Sequence, residues 1–306
     1  TVFATFDNHT GGDYKPYVYR STNRGKSWQP IAGNLPERGP VHTIVQDHVE
    51  PDLLFVGTEF GVWFTRDGGE NWTELSAGIP TIAVRDLEVQ RRENDLVIAT
   101  FGRGIRILDD YRALRTPADE VLENEATLFP VRDPWLYVED DIWGFGPRGF
   151  QGETYYLADN PPFGAVFTYH LADGYKTLRE QRREQERERS EADEDNPYPA
   201  WARLRQESRE DSPLLMLEIT DSNGEVVRRI QGPHGKGLHR VAWDLRHPAP
   251  DPVELSSGGL SAPWDSEPQG VLVAPGTYNV QLFKRVREEL VALNQPRSFE
   301  AVELDR

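Results

Sequence analysis

The sequence contains no cysteine. That excludes disulfide scaffolds and thiolate metal sites, and leaves the redox compartment open. No apolar run approaches the ~18 residues that a bilayer-crossing helix needs. Basic residues are in the minority: 34 Lys and Arg face 51 Asp and Glu, giving a net charge of −17. A surface this acidic repels phosphate backbones, which argues against a nucleic-acid partner. There is no Gly-x-Ser-x-Gly, no His-Glu-x-x-His and no phosphate loop, and the seven histidines show no metal-ligand spacing. No catalytic residue, metal or cofactor is therefore assigned. An initiating methionine and a signal peptide are also missing. The chain begins at Thr1, inside the strand-like "TVFATFD", so it is expected to be a piece of a longer protein.

Turn formers and large aromatics are plentiful. Eight tryptophans, 26 glycines and 23 prolines across 306 residues predict an all-β chain long enough for two domains. The stretch "TRDGGENW" (Thr65 to Trp72) is repeated 44 residues earlier as "STNRGKSW" (Ser21 to Trp28). "DLLFVGTEFGVWFTRD" (Asp52 to Asp67) is repeated 43 residues later as "DLVIATFGRGIRILDD" (Asp95 to Asp110). A period of this length, with about four short strands per unit, is that of a β-propeller blade. In the best copy the strands are "HTIVQ", "LLFVGT", "GVWFTR" and "NWTEL", and "DGGEN" is the last hairpin. Ser21, Asn23, Gly25 and Trp28, with Thr65, Asp67, Gly69 and Trp72, read as structural. The Asp or Asn caps its own turn, the glycine allows positive φ, and the tryptophan packs between blades.

The pattern S/T-x-D/N-x-G-x-x-W resembles the Asp-box, or BNR repeat, of sialidases, sortilin-type receptors and related propellers. With "VFATFDNHTGGDYKPYVYRSTNRGKSW", "DLVIATFGRGIRILDD" and "GLHRVAWDLR", the chain resembles the C-terminal part of large secreted bacterial BNR-repeat proteins. Those are often labelled sortilin-like or glycosyl hydrolase. The resemblance implies a secreted or periplasmic protein, with the remaining blades upstream. It departs from its kin at Phe101 and Arg85, where they carry histidines, so no role of those histidines carries over.

Three regions are expected. Residues 1–115 hold the final blades of a BNR/Asp-box propeller, and 116–160 form a turn-rich linker. Residues 161–306 form an Ig-like or fibronectin-like β-sandwich with a charged helical insert at about 176–211. The strands of the last region alternate, as in "HRVAWDLR" and "GTYNVQLF". The insert "KTLREQRREQERERSEADED" lacks an apolar face but offers Glu–Arg pairs at i,i+3. A following short helix is expected to dock through Trp201 and Leu204. The loop "WGFGPRGFQGE" (Trp143 to Glu153) is read as a cover or a sugar platform.

Strand alternation puts the hairpins between second and third strands on the blade end opposite the Asp-boxes. Glu59, Phe60 and Arg103 lie there, with His42 and Arg85 at the starts of the innermost strands. A carboxylate, two arginines, a histidine and an aromatic suit a glycan or a peptide carboxylate. Arg103 is expected next to Glu59. The alternative use of these residues is to satisfy backbone carbonyls at blade ends, with Arg103 simply paired to Glu59. Two function classes follow: a non-catalytic binding or scaffolding portion of such a protein, or a glycoside hydrolase whose carboxylate pair lies mainly in other blades.

Overall fold

The computed structural model describes residues 1–76, 78–138, 158, 160–250, 268–287 and 289–304. It is mostly β-sheet, with a few short helices. The chain divides into two compact units, Thr1–Pro117 and Ala118–Arg306. Among the described residues no helix is long and apolar enough to cross a membrane.

The first unit repeats one antiparallel meander. The first sheet is β1 (Val2–Asn8), β2 (Asp13–Ser21) and β3 (Gln29–Pro30). The second is complete, with β4 (Val41–Gln46), β5 (Leu54–Thr58), β6 (Gly61–Thr65) and β7 (Trp72–Glu74) in sequential order. The third is β8 (Val84–Gln90), β9 (Asp95–Thr100) and β10 (Ile105–Leu108). Val18, Ile31, Leu35, Val41, Leu54, Val56 and Trp72 form the core shared by the first two sheets. Phe55, Val62, Val84, Leu87, Leu96, Ile98 and Tyr111 form that shared by the second and third. The sheets approach closely: a Cβ at Gly57 would stand 2.7 Å from both Thr43 and Val84. β10 is an edge strand of its sheet, and its Ile105 and Ile107 are exposed.

Both turns of the S/T-x-D/N-x-G-x-x-W pattern are self-contained. Asp67 Oδ1 accepts from the N–H groups of Glu70 (2.9 Å) and Asn71 (2.9 Å) and from the Thr65 hydroxyl (2.7 Å). In the first copy the amide oxygen of Asn23 accepts from Ser27 N–H at 2.9 Å and from the Ser21 hydroxyl at 3.0 Å. Gly25 N–H donates to Ser21 Oγ at 2.8 Å. Gly69 has φ +106°, and a Cβ there would meet Ile31 Cβ at 2.7 Å. Trp72 is only 2% exposed, and its indole N–H donates to the Ile31 carbonyl at 2.9 Å. Trp28, expected to pack in the same way, is 42% exposed. The residues covering Trp72 come from the preceding sheet, and Trp28 has no such cover among the described residues.

A buried polar hub ties the end of the first unit to its middle. Asp47, just after β4, accepts from Arg115 Nε (2.9 Å) and Nη2 (2.8 Å). It also accepts from the Tyr111 hydroxyl and from Glu50 N–H at 2.7 Å. Arg115 and Tyr111 belong to a short 3-10 helix, Tyr111–Arg115, that follows β10. Arg115 also donates to Asn94 at 2.7 Å. Burial pushes the Asp47 carboxyl up, but the hydrogen bonds from Arg115 and Tyr111 outweigh it and hold the pKa at about 2.

The second unit has one core served by two sheets. The stretch 116–160, expected as a linker, supplies α1 (Ala118–Glu123), β11 (Ala126–Leu128) and β12 (Trp135–Leu136). β11 joins the unit's own sheet because Ala126 and Leu128 are apolar and enter its core. β13 (Ala165–Leu171) pairs with it. The remaining elements are α2 (Leu178–Glu191), α3 (Trp201–Arg209), β14 (Leu214–Thr220), β15 (Val226–Gly232), β16 (Gly237–Trp243), β17 (Gly276–Val286), β18 (Glu289–Ala292) and β19 (Arg297–Glu303). One sheet runs β11-β13-β16; the other runs β12-β19-β17-β14-β15, with β18 also on β17. Leu215, Leu217 and Ile219 alternate into the core, as do Tyr278, Val280 and Leu282. Trp143 to Glu153 lie outside the described residues.

The helices α2 and α3 bury none of their residues. Thr177 and Glu180 close a capping box at the start of α2. That occupies Glu180, and Glu186 pairs with Arg182 at 2.7 Å, so of the expected i,i+3 pairs Glu184–Arg187 alone forms, at 4.0 Å. The helices meet through Arg182 Nε and Glu207 Oε1 at 2.8 Å, and Glu210 accepts from Leu178 N–H at 2.6 Å. Trp201 does not dock. It is 72% exposed and rests edge-on against Tyr198, the ring centres 6.0 Å apart. The polar bridge already holds the helices together and leaves no apolar seat for the indole.

Two tests follow. Asp47→Ala would leave Arg115 buried without its carboxylate and is expected to cost about 3–5 kcal/mol in urea unfolding. The folded pKa of Asp47 lies below the ordinary ~3.9 of a carboxyl. Its contribution is therefore complete above about pH 4 and is lost as pH falls through about 2. Acid melts of the wild type should lose stability across that window, and Asp47→Asn should lose less. In the turn, Trp72→Ala is expected to cost ~3–5 kcal/mol and Asp67→Ala ~0.5–2 kcal/mol. Trp28→Ala should stay near wild type, because its ring is already wet. Equal losses for the two tryptophans would contradict the packing described above.

Candidate functional site

Three neighbouring sheets bring corresponding ends to one place. In the first sheet Phe6 pairs with Tyr17 as the last regular pair before the hairpin, and Asp7 follows it. In the second, Thr58 pairs with Gly61, and Glu59 and Phe60 form the tip. Asp7 and Glu59 therefore hold equivalent positions in successive repeats. β4 begins beside them at Val41–His42, and β8 begins at Val84–Arg85.

These ends enclose a cavity of about 330 Å³, lined by Asp7, His9, Tyr14, Arg38, Gly39, Pro40, Glu59, Phe60 and Arg85. The volume lies at the lower end for small-molecule sites, room for about one sugar ring or one to two amino-acid residues. Phe60 and Tyr14 are both 51% exposed, so two aromatic rings stand wet at the rim. Arg38 is exposed there as well and makes no ion pair among the described residues.

The remaining charges are compensated from within. Glu59 Oε2 lies 2.9 Å from His42 Nε2 and 3.4 Å from Arg85 Nη2. Asp7 accepts from the backbone N–H of His9 at 2.9 Å and lies 2.8 Å from its ring Nδ1. Those contacts, the backbone N–H first, hold the Asp7 carboxyl below its ordinary range. Asp7 Oδ2 also lies 3.9 Å from His42 Nδ1. His42 itself does not face the cavity. Its side chain is 9% exposed and sits behind the lining, between both carboxylates and Arg85.

The structure thus brings Glu59, Phe60 and Arg85 to the cavity and puts His42 behind them. It does not bring Arg103 there. The β5–β6 hairpin has a two-residue tip, whereas in the β9–β10 hairpin Thr100 pairs with Gly104 around a three-residue tip. The extra residue shifts the register. Phe101 takes the place equivalent to Glu59, and the Arg85 guanidinium stands over its ring at 5.5 Å. Arg103 projects at the tip, and Glu59 pairs with His42 and Arg85 instead. Asp7, His9, Tyr14 and Arg38 were not singled out from the sequence. Projecting the repeat one copy back from Glu59 would have reached Asp7, but "DNHTGGDYK" is longer than its counterpart and hides the match. Among the described residues no three His, Asp or Glu side chains are placed to share a metal ion.

No family model matches the chain. No curated protein matches it either. Among solved structures it is similar to an extracellular domain assigned to a hybrid two component system of B. thetaiotaomicron. The TM-score is 0.27 and the identity 9%, over 95% of this chain and 30% of that one. A second, an extracellular domain assigned to a one component system of the same organism, gives a TM-score of 0.26 and 12% identity, over 94% of this chain and 28% of that one. The chain thus spans less than a third of either neighbour. Likenesses this distant assign neither a detailed fold nor a function.

The pairing inside the site is half exposed, so its contribution to stability is small. Arg85→Ala is expected to change the unfolding free energy by about 0–1 kcal/mol, and Arg103→Ala by no more than ~0.5 kcal/mol. Urea melts of both variants check this. A loss of several kcal/mol on removing Arg85 would mean that the cluster is built for folding rather than for a ligand.

Proposed function

We propose that the chain is a non-catalytic binding portion of an extracytoplasmic BNR-repeat propeller protein, and that its cavity takes a carboxylate-bearing glycan or peptide. The observation that carries the ligand reading is the exposed Arg38, unpaired among the described residues, beside two exposed rings. A guanidinium without a partner suits a carboxylate, and Phe60 and Tyr14 offer faces on which a sugar or side-chain ring can lie. Compensated neighbours such as Glu59 and His9 remain able to exchange hydrogen bonds with hydroxyls or amides.

The propeller assignment is supported by the repeated meander, by Asp-box turns at matching places, and by the two successive inter-sheet cores. Exposed Trp28 at one end, and exposed Ile105 and Ile107 at the other, suit contact with further blades. The second unit, with two sheets around one core, suits an Ig-like or fibronectin-like sandwich. Extracytoplasmic placement rests on the resemblance to large secreted bacterial BNR-repeat proteins.

One observation favours a hydrolase instead: Asp7 and Glu59 share a cavity. A glycosidase, however, needs one carboxyl kept protonated as general acid. Asp7 is pushed the other way, and Glu59 is already held by two cationic or donor groups. The binding reading is therefore preferred.

Carboxylated and neutral oligosaccharides, and peptides with free or amidated C-termini, should be titrated calorimetrically against wild type, Arg38→Ala and Phe60→Ala. Carboxylated ligands are expected to bind, with about tenfold or greater loss on removing Arg38, equivalent to ~1.4 kcal/mol or more. Equal binding of charged and neutral ligands, or no effect of Arg38→Ala, would reject the reading. Release of reducing sugar that vanishes in Glu59→Gln would establish the hydrolase.

A further inference from the structure

His42 is set apart by where it lies. It is the second residue of β4 and meets a charged group from each neighbouring element that reaches the cavity. From β1 comes Asp7, itself in contact with His9; from the β5–β6 tip comes Glu59; from β8 comes Arg85. The next carboxylate on β8, Asp86, is taken up by the Thr43 hydroxyl at 3.4 Å and by Leu87 N–H at 3.0 Å.

The contact with Arg85 is of a particular kind. Its Nη1 stands 3.2 Å from His42 Nδ1 and 3.1 Å from Nε2. An atom that close to both ring nitrogens cannot lie in the ring plane, where it would collide with the carbon between them. It lies over the ring face. The in-plane directions of the two nitrogens are left to the carboxylates, Nε2 to Glu59 at 2.9 Å and Nδ1 toward Asp7 at 3.9 Å.

A neutral imidazole has one N–H and donates to one carboxylate. A protonated one donates at both nitrogens and repels the guanidinium over its face. We propose that His42 is a positioning residue that sets the charge of the cavity. On protonation it draws in both Asp7 and Glu59 and releases Arg85 toward the ligand, so that carboxylate binding strengthens as pH falls. The ligand half of this statement rests on the binding reading above; the coupling between His42 and Arg85 does not. By reciprocity, a bound carboxylate must favour proton uptake at His42. His9 also faces Asp7, but it is exposed and has no hydrogen bond or ion pair with Arg85 among the described residues.

The test has two arms on the full chain. In the first, the ring C–H signal of His42 and the Nε–H signal of Arg85 are followed by NMR from pH 8 to pH 5 without ligand. Both are expected to move with one midpoint, and the Arg85 change should disappear in His42→Gln and His42→Asn. An Arg85 signal that ignores the His42 titration would overturn the proposal. In the second arm trigalacturonate is titrated at pH 8 and pH 5.5, with its carboxyl-reduced form as neutral control. The ratio of the two affinities is expected to be about tenfold in wild type, to be kept in His9→Gln whatever that variant's absolute affinity, and to fall to one in His42→Gln. A slope that survives in His42→Gln but is lost in His9→Gln would also overturn it. If trigalacturonate and the other carboxylated probes fail to bind at either pH while Arg85 still follows His42, the binding reading falls and the positioning role stands.

Discussion

The first unit depends on one buried charge. Asp47 leaves the end of β4 with no water to solvate it, and Arg115, Tyr111 and nearby backbone N–H groups replace that water. A carboxylate in this setting is tolerable only when every partner is present. The partners come from 64 and 68 residues further along, after the third sheet is complete. The hub therefore links the second sheet to the segment that leaves the third. It is a geometric check on the packing between the two. If β8, β9 and β10 were displaced, the 3-10 helix carrying Tyr111 and Arg115 would not reach Asp47, and a charge would be stranded.

The cavity follows from the same stacking of sheets. Each meander turns at the same end, so equivalent hairpins converge without any segment dedicated to the purpose. Asp7 and Glu59 are equivalent by register, and Phe101 is the third member of that series. The repeat places positions; the residue types then diverge. Two copies carry a carboxylate, one an aromatic, and the arginine on β8 serves both kinds through an ion pair and a stacked contact. The chemistry of the cavity is thus a set of substitutions on a common scaffold.

Much of this was legible in the residues. The four strands of the complete sheet lie where their alternation and turn glycines put them, and the strands of the second unit follow the alternation of "LLMLEIT" and "GTYNVQLF". The convergence of Glu59, Phe60 and Arg85 followed from counting strand directions. What escaped did so for definite reasons. One additional residue in "TFGRG" moved Arg103 out of line, because a hairpin tip is sensitive to single insertions while the strands beside it are not. Asp7 was hidden by a longer loop. Trp201 was misread because the sequence does not say whether an aromatic on a charged helix has somewhere to go. The Asp47 hub joins residues too far apart for any local pattern to connect them.

The edge at β10 has a bearing on how the molecule behaves among its own copies. Among the described residues, one side of β10 has no strand paired to it, and two isoleucines flank the single arginine on that short strand. An open edge of this kind is a template on which another chain can add a strand. Against it stands a net charge of −17, which keeps like molecules apart. Colloidal stability of the isolated chain is therefore held by long-range repulsion rather than by a blunted edge. Such repulsion fades once added salt brings the Debye length to about 8 Å or less.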